Sequence, residues 1–383
     1  MKKLFSSDFK LGVLGGGQLG RMLLRESIKF DIQTWMLDPS NEAPCKDYCN
    51  QFFQGDLMDY ETVYNFGKKV DLLTIEIEHV NLDALEKLEA EGLDVFPQPS
   101  VLRKIQHKGV QKDFYTANAL PTADYVRFDS KDEALSKAAQ FDFPFIWKSA
   151  QFGYDGNGVK VIRTAQDLKA LSDVEGIFEK MIPFDLELAV IVARNPKGDL
   201  AHYPVVEMEF HPEANQVEYV LCPARISDEI AQKAIDVALQ AASKFEHVGL
   251  LAVELFLTKE GDVLINEVAP RTHNSGHYSI EGSYTSQFEQ HLRSVLNLPL
   301  GSTKSTCPAV MVNLVGAEGY SGEVKYQGME DILALPGVTP HIYGKKLMRP
   351  FRKMGHVTVI GDSIEEARKI AEEVKSKVKV ISE

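Results

Sequence analysis

No stretch of this 383-residue chain approaches the roughly 18 consecutive apolar residues that a membrane-spanning helix requires, so no membrane partner is expected. The opening MKKLFSSDFKLGVLGGG has two lysines but neither a long apolar core nor a small-residue cleavage site, and no signal peptide is expected. Cysteine is scarce: Cys45, Cys49, Cys222 and Cys307. Cys45 and Cys49 lie close together, but no second close pair completes a zinc set, and four reduced thiols in a cytoplasmic protein are expected. Basic charge is outweighed, 42 Lys and Arg against 55 Asp and Glu, for a net charge of −13. That excludes a broad nucleic-acid surface and confines any anion site to a local cluster. There is no internal repeat, no low-complexity tract and no G-K-[ST] phosphate loop. What remains is a globular composition, 44% apolar and 25% charged, long enough for two or three domains.

The first hundred residues alternate strand and helix patterns. KLGVLG, IQTWMLD, DLLTIEIE and LDVFPQP read as strands, with GRMLLRESIKF, YETVYNFGKKV and LDALEKLEAEG between them as helices. Such alternation predicts a parallel sheet covered by helices, with its ligand beyond the C-terminal strand ends. Those ends carry Gly15–Gly17, Asp38–Ser40 and Glu76–Glu78. SVLRKIQHKGVQKDFYTANALP reads as one polar linker helix. After Pro121 the texture becomes α+β with antiparallel hairpins, and a last block begins near Cys307.

Gly15, Gly17 and Gly20 fit G-x-G-x-x-G, and Asp38 stands close to where a nicotinamide ribose partner is expected. The loop by itself predicts a phosphate, whatever molecule carries it, or merely tight strand-to-helix packing. Asp38 holds a ribose or caps the turn before Pro39.

In IWKSAQFGYDGNGVKVI, Lys148 ends a strand beside a loop with Gly153, Gly156 and Gly158. A glycine hairpin beside a lysine can clamp a triphosphate; it can also be an ordinary hairpin. In GLLAVELFLTKEGDVLINEVAPRTHNSGH, a two-residue turn at Glu260-Gly261 sets a register in which paired residue numbers sum to 521. Glu254 and Glu267 then face each other, with Cβ atoms about 5 Å apart. Opposed carboxylates on an apolar strand repel unless a cation joins them, and Mg²⁺ fits oxygen ligands and phosphates; Asn266 adds an oxygen. His273 and His277 follow on a loop without helix pattern, which suits a base or donor better than zinc. Lys345, Lys346, Arg349, Arg352 and Lys353 form a basic cluster suited to a phosphorylated substrate, or a solvated turn. The Lys180-Met181-Ile182 backbone could meet an adenine edge, with Glu179 and Glu187 beside it.

GGGQLGRM, TIEIEHV, FGYDGNG, INEVAPRTHNSGHYSIEGSYTSQFEQHLR and YGKKLMRPFRKMGHVTV, in this order, resemble the ATP-grasp superfamily and, within it, the N5-carboxyaminoimidazole ribonucleotide synthetase family. The resemblance covers nearly the whole chain. It implies an α/β and α+β fold: a Rossmann-like domain over residues 1–107, an ATP-grasp core over 108–306 with a mobile lid at about 120–182, and a small C-terminal domain over 307–383. It implies ATP-dependent carboxylation of aminoimidazole ribonucleotide with bicarbonate, through carboxyphosphate, by a homodimer. Lys148, Gly153, Tyr154, Asp155, Gly156, Gly158, Glu179, Lys180, Ile182, Glu187, His211, Asn266 and Glu267 match nucleotide positions, and Arg103 or Lys104 supplies another contact. Glu254 and Glu267 match Mg²⁺ ligands. Gly17, Gln18, Leu19, Ser40, Tyr154, Asp155, Asn274, Lys345, Arg352 and Lys353 match the substrate site, joined by Glu76 or Glu78. Arg271 is expected to stabilise carboxyphosphate, His273 to steer proton removal, and Lys345 to act beside them. Two departures stand out: Asn157 replaces a basic lid residue, and VEMEFH, which ends on His211, lacks the Asn that the family pattern has after the first Glu. The rival readings are another ATP-grasp ligase acting on a phosphorylated amine, such as a formate-using one, and an NAD-dependent dehydrogenase.

Overall fold

The computed structural model describes residues 4–151, 158–212 and 216–383. Among these residues the strands assemble into four sheets. In the first, strands Gln51–Gln54, Gln33–Asp38, Lys10–Leu14, Leu72–Ile75 and Asp94–Phe96 lie side by side in that order, all parallel. Leu11, Val13 and Leu14 are fully buried, as a central strand covered on both faces requires. The strand order reverses at Lys10–Leu14. The crevice of such a sheet therefore opens beside Gly15, Asp38 and Glu76. The helix Gln18–Lys29 buries Leu19, Met22 and Leu23 in one apolar cluster with Phe288, Leu292 and Val295 of the helix Gln287–Val295. At roughly 1.5–3 kcal/mol per buried side chain, this cluster fastens the N-terminal sheet to the rest of the molecule.

The expected linker helix is two helices, Pro99–Ile105 and Lys108–Ala117. His107 breaks it. Its backbone is extended, and its Nδ1 accepts a hydrogen bond from Val110 N at 3.2 Å, so it caps the second helix. A second sheet holds Tyr125–Phe128, Gly176–Lys180, Phe145–Ser149 and Val159–Ile162, antiparallel around Phe128, Phe145, Trp147 and Phe178.

The largest sheet runs Val263–Ala269, Gly249–Thr258, Phe184–Arg194, Val206–Phe210, Val217–Cys222, Ala309–Val315, Lys353–Ile360, Val338–Ile342, with Leu200–His202 beside Phe184–Arg194. The helix Asp228–Phe245 packs Ala234, Ala238, Ala241 and Phe245 into the cluster under its first strands. The helix Ile364–Lys377 covers its far end with Ala367, Ala371 and Val374. The sheet thus crosses residue 307, where a separate small domain is expected: Tyr219–Cys222 pair directly with Ala309–Val312. Without that pairing Val217–Cys222 would be an open edge. A small sheet of Leu347–Met348, Gly322–Gln327 and Lys379–Ser382 closes the C-terminal region. No helix among the described residues is long and apolar enough to cross a membrane.

Candidate active site

Glu254 and Glu267 are direct partners across the hairpin, as the register predicts, but by a different route. Near the turn the pairs sum to 520, as in Leu257 with Val263, and Thr258 N donates to Asp262 O. The loop is therefore three residues, Lys259-Glu260-Gly261, ending on Gly261 at φ +85°. A bulge at Asn266 then adds one residue, and Glu254 meets Glu267. The bulge also aims Asn266 inward: its Oδ1 accepts from Lys148 Nζ at 3.2 Å. Burial drives the Glu254 carboxyl upward, with Glu267 and then Glu187 adding to it. Glu267 is held down chiefly by Lys108, whose Nζ is 2.9 Å from its Oε2. Two opposed carboxylates, Glu254 largely buried and Glu267 half-exposed, with a neutral oxygen beside them form a donor set suited to a divalent cation.

Lysines surround this pair. Lys148 Nζ is 2.6 Å from Glu179 Oε2, and Lys112 Nζ is 2.5 Å from Glu179 Oε1. Burial would raise the Glu179 carboxyl, but Lys148 and Lys112 outweigh it and hold it at about 2. Glu187 has no such partner in contact among the described residues; burial, with Glu267 adding, pushes it up to about 7.

The loop after the hairpin is pinned from behind by Gln287. Its Oε1 accepts from His273 N at 2.9 Å, while its Nε2 contacts His273 O and His277 Nδ1, both at 2.8 Å. His273 Nε2 then stands 3.4 Å from Glu254 Oε1, and its Nδ1 2.9 Å from Ser275 Oγ. Arg271 Nε makes an ion pair at 2.8 Å with Glu78 Oε2, joining the hairpin side to the N-terminal sheet.

The glycine loop holds carboxylates of its own chain. Gly17 N and Gly20 N donate to the two oxygens of Glu76 at 2.6 and 2.8 Å, and Gly16 N donates to Asp38 Oδ2 at 2.7 Å. Glu76 thus stands where a dinucleotide pyrophosphate would sit at the start of Gln18–Lys29, and Asp38 is turned from a ribose partner into a loop brace. The expected phosphate contact at these amides is replaced by internal ligands. One cavity of about 640 Å³ gathers the pieces: Gln18, Leu19, Glu76 and Glu78 from one side, Lys108, Glu254, Glu267, Arg271, His273 and Lys353 from the other.

Residues 9–106 match the ribonucleotide synthetase preATP-grasp domain, 113–288 the ATP-grasp domain, and 309–370 the phosphoribosylaminoimidazole carboxylase C-terminal domain. An N5-carboxyaminoimidazole ribonucleotide synthase of Synechococcus elongatus is 35% identical over 91% of this chain and 89% of its own. The crystal structure of an N5-carboxyaminoimidazole ribonucleotide synthetase from Thermotoga maritima is 41% identical, with a TM-score of 0.90 over 98% of this chain and all of that one. The chain belongs to the N5-carboxyaminoimidazole ribonucleotide synthetase family. An Aspergillus clavatus synthase of this family, solved with ADP and 5-aminoimidazole ribonucleotide, is 34% identical with a TM-score of 0.87, over 97% of this chain and 98% of that one. A chloroplastic phosphoribosylaminoimidazole carboxylase of Vigna aconitifolia is 41% identical over 92% of this chain, which spans 64% of that relative's length.

Not every residue that the synthetase pattern singles out reaches the cavity. Arg103 pairs with Glu86 and Asp83 on the surface, and Lys104 lies over the Phe114 ring at 5.2 Å. Lys108, beyond the His107 break, lines the cavity instead. Lys108 and Lys112 share one helix face, a spacing visible in KGVQK once His107 is seen as a cap. Asn274 lines the cavity, but its amide is committed to a reciprocal pair with Asn313 at 2.9 and 3.0 Å, so it ties the loop to the sheet. Lys180 N donates to Asp124 O within the lid, and Ile182 O accepts from Phe184 N. His211 stands edge-on to Phe351 at 6.0 Å, and it does not line the cavity. Lys345 Nζ donates to Lys353 O at 2.7 Å, and Arg352 to Leu347 O. Ser40 donates its N–H to Asp38 Oδ1, on a loop that Lys346 reaches through Glu42 at 3.4 Å. Gly158 takes φ +79° and its carbonyl accepts from Ser149 N. Gly153, Tyr154, Asp155, Gly156 and Asn157 lie outside the described residues. Cys45, Cys49, Cys222 and Cys307 are free thiols, and no group of three or more metal-binding side chains occurs among the described residues.

Proposed function

We propose that this protein carboxylates the exocyclic amine of 5-aminoimidazole ribonucleotide, using ATP and bicarbonate, to give N5-carboxyaminoimidazole ribonucleotide in purine biosynthesis. The observation that carries this reading is one continuous cavity lined both by the mouth of the N-terminal sheet and by the Glu254/Glu267 hairpin. A ribonucleotide and a nucleotide triphosphate can meet there. A bicarbonate oxygen attacks the γ-phosphorus and ADP leaves; the substrate nitrogen then attacks the carboxyl carbon, phosphate leaves, and the nitrogen gives up one proton. Lys148 and Lys108 offset negative charge at the phosphates. Glu254, Glu267 and Asn266 would hold Mg²⁺, which supplies charge neutralisation for phosphoryl transfer. Arg271, once turned from Glu78, stabilises the carboxyphosphate anion. His273, oriented by Ser275 and Gln287, is placed to accept or pass on the amine proton. Lys345, Arg352 and Lys353 supply positive charge for the ribotide phosphate, with Gln18, Leu19, Ser40 and Glu78 beside it. The family resemblance supports a homodimer, and the reduced thiols support a cytoplasmic setting.

The test is ADP formation with Mg-ATP and bicarbonate, with and without aminoimidazole ribonucleotide. A sharp rise on adding the ribonucleotide is expected. ADP formation indifferent to the ribonucleotide would overturn the substrate assignment, and a response to formate instead of bicarbonate would select a different ligase.

A further inference from the structure

Glu179 is shared by two lysines, and only one of them, Lys148, also reaches Asn266 beside the Glu254/Glu267 pair. Lys148 Nζ sits 2.6 Å from Glu179 Oε2 and 3.2 Å from Asn266 Oδ1. Lys112 Nζ sits 2.5 Å from Glu179 Oε1 and donates to Thr122 Oγ1, also at 2.5 Å. The side chains of Lys112 and Glu179 are 4% and 5% exposed, and that of Lys148 is 11%. Thr122 is itself fixed: its Oγ1 donates to Ile265 O at 2.9 Å, and its backbone bridges to Ile265 beside the Asn266 bulge. Lys112 therefore holds one helix, the lid strand carrying Glu179, and the bulged hairpin strand at a single point. It cannot leave Glu179 and Thr122 without loosening that point.

The Lys148 pairing is different. If Lys148 is to contact phosphate, it must let go of Glu179. A buried carboxylate stripped of its partner is strongly disfavoured, so the release requires a second cation that stays. We propose that Lys112 is a positioning residue: the fixed counter-charge of Glu179 that frees Lys148 to engage the nucleotide phosphates. This rests on the reading of Lys148 as a phosphate contact. Glu179 then serves as a parking place for Lys148 while the site holds no nucleotide. With Lys112 gone, Lys148 is the sole cation on a buried carboxylate and stays with it.

The test is the KM for ATP in the ADP-forming assay, for wild type, Lys112→Met, Lys112→Arg, Glu179→Gln and the double variant Lys112→Met/Glu179→Gln, each checked for its thermal unfolding midpoint. Lys112→Met is expected to raise the KM for ATP by about tenfold or more while kcat at saturating ATP changes far less. Lys112→Arg keeps the charge and is expected to recover most of the loss. The double variant, with no charge to compensate, is expected to return to the KM of Glu179→Gln alone. A purely structural role would lower kcat and stability together and persist in the Glu179→Gln background. An unchanged KM in Lys112→Met, or a double variant about tenfold worse than Glu179→Gln, overturns the proposal. Should Lys112→Met fail to fold, the comparison of Glu179→Gln with the double variant decides by the same criterion. Failure of wild type to form ADP at all would instead defeat the ATP-site reading.

Discussion

At the scale of single residues, the site is a set of acids kept apart by what each has for company. Glu179 has two lysines and stays ionised; Glu187, within the field of Lys148 and Glu267, has neither lysine in contact and is pushed up to about 7 by burial. The sign follows from linkage. The unfolded chain loses this proton near its ordinary value of 4.5, the folded chain only near 7. Stability from the neutral Glu187 is therefore full below about pH 4.5 and is lost as pH rises through 7. Glu187→Gln removes the loss. Measured by denaturant unfolding without nucleotide or Mg²⁺, the variant should match wild type near pH 4 and exceed it above pH 7, by up to about 3 kcal/mol. A difference that does not change with pH would mean that Glu187 titrates alike in the folded and unfolded chain.

At the scale of elements, two features decide where side chains point: the bulged hairpin and the glycine loop. The bulge shows both the reach and the limit of reading from residues. Register arithmetic pairs Glu254 with Glu267 correctly because two departures cancel, a three-residue turn and one extra residue at Asn266. Alternating patterns expose a strand, but an inserted residue leaves no trace in the alternation that a turn shift would not also leave. The helix break at His107 is hidden for a similar reason. A histidine cap looks like one more polar residue in a polar helix, so nothing in the pattern sets Lys108 and Lys112 apart from Lys104. The glycine loop is legible as a shape and misleading as a site, because Glu76 comes from a strand end 56 residues after Gly20. Gly15 takes φ +99°, and an added Cβ would lie 2.5 Å from Glu76 Cγ. Gly15→Ala is therefore expected to destabilise the fold by about 2–4 kcal/mol and to raise the KM for the ribonucleotide, since Glu76 cannot move without freeing two helix amides. Unfolding curves and steady-state kinetics check both; a variant with unchanged stability would show that Glu76 is not held as the structure has it.

At the scale of the whole molecule, the largest sheet runs across residue 307, where the sequence places a domain boundary. Hydrogen bonds between Val217–Cys222 and Ala309–Val315 cannot be seen in either segment alone, since each is simply an apolar strand. The chain ended after residue 306 should expose Tyr219 and Leu221 along an unpaired edge. Size-exclusion chromatography is expected to show large aggregates for that shortened chain; a monodisperse, folded product would mean that the seam is a true domain boundary.

The Glu254/Glu267 carboxylates and Lys353 stand on strands of one continuous sheet, with Phe184–Arg194, Val206–Phe210, Val217–Cys222 and Ala309–Val315 between them. A flat sheet would hold them far apart, at about 4.8 Å for every strand crossed. Yet all three line the same cavity, and the Lys353 charge acts on the Glu254 carboxyl. The sheet is therefore bent round like a cupped palm, as the accumulated twist of many strands allows. Ladder hydrogen bonds set the span of that palm. The distance from the carboxylate pair to the basic residue is built into the sheet, so neither end can shift without distorting the strands between them.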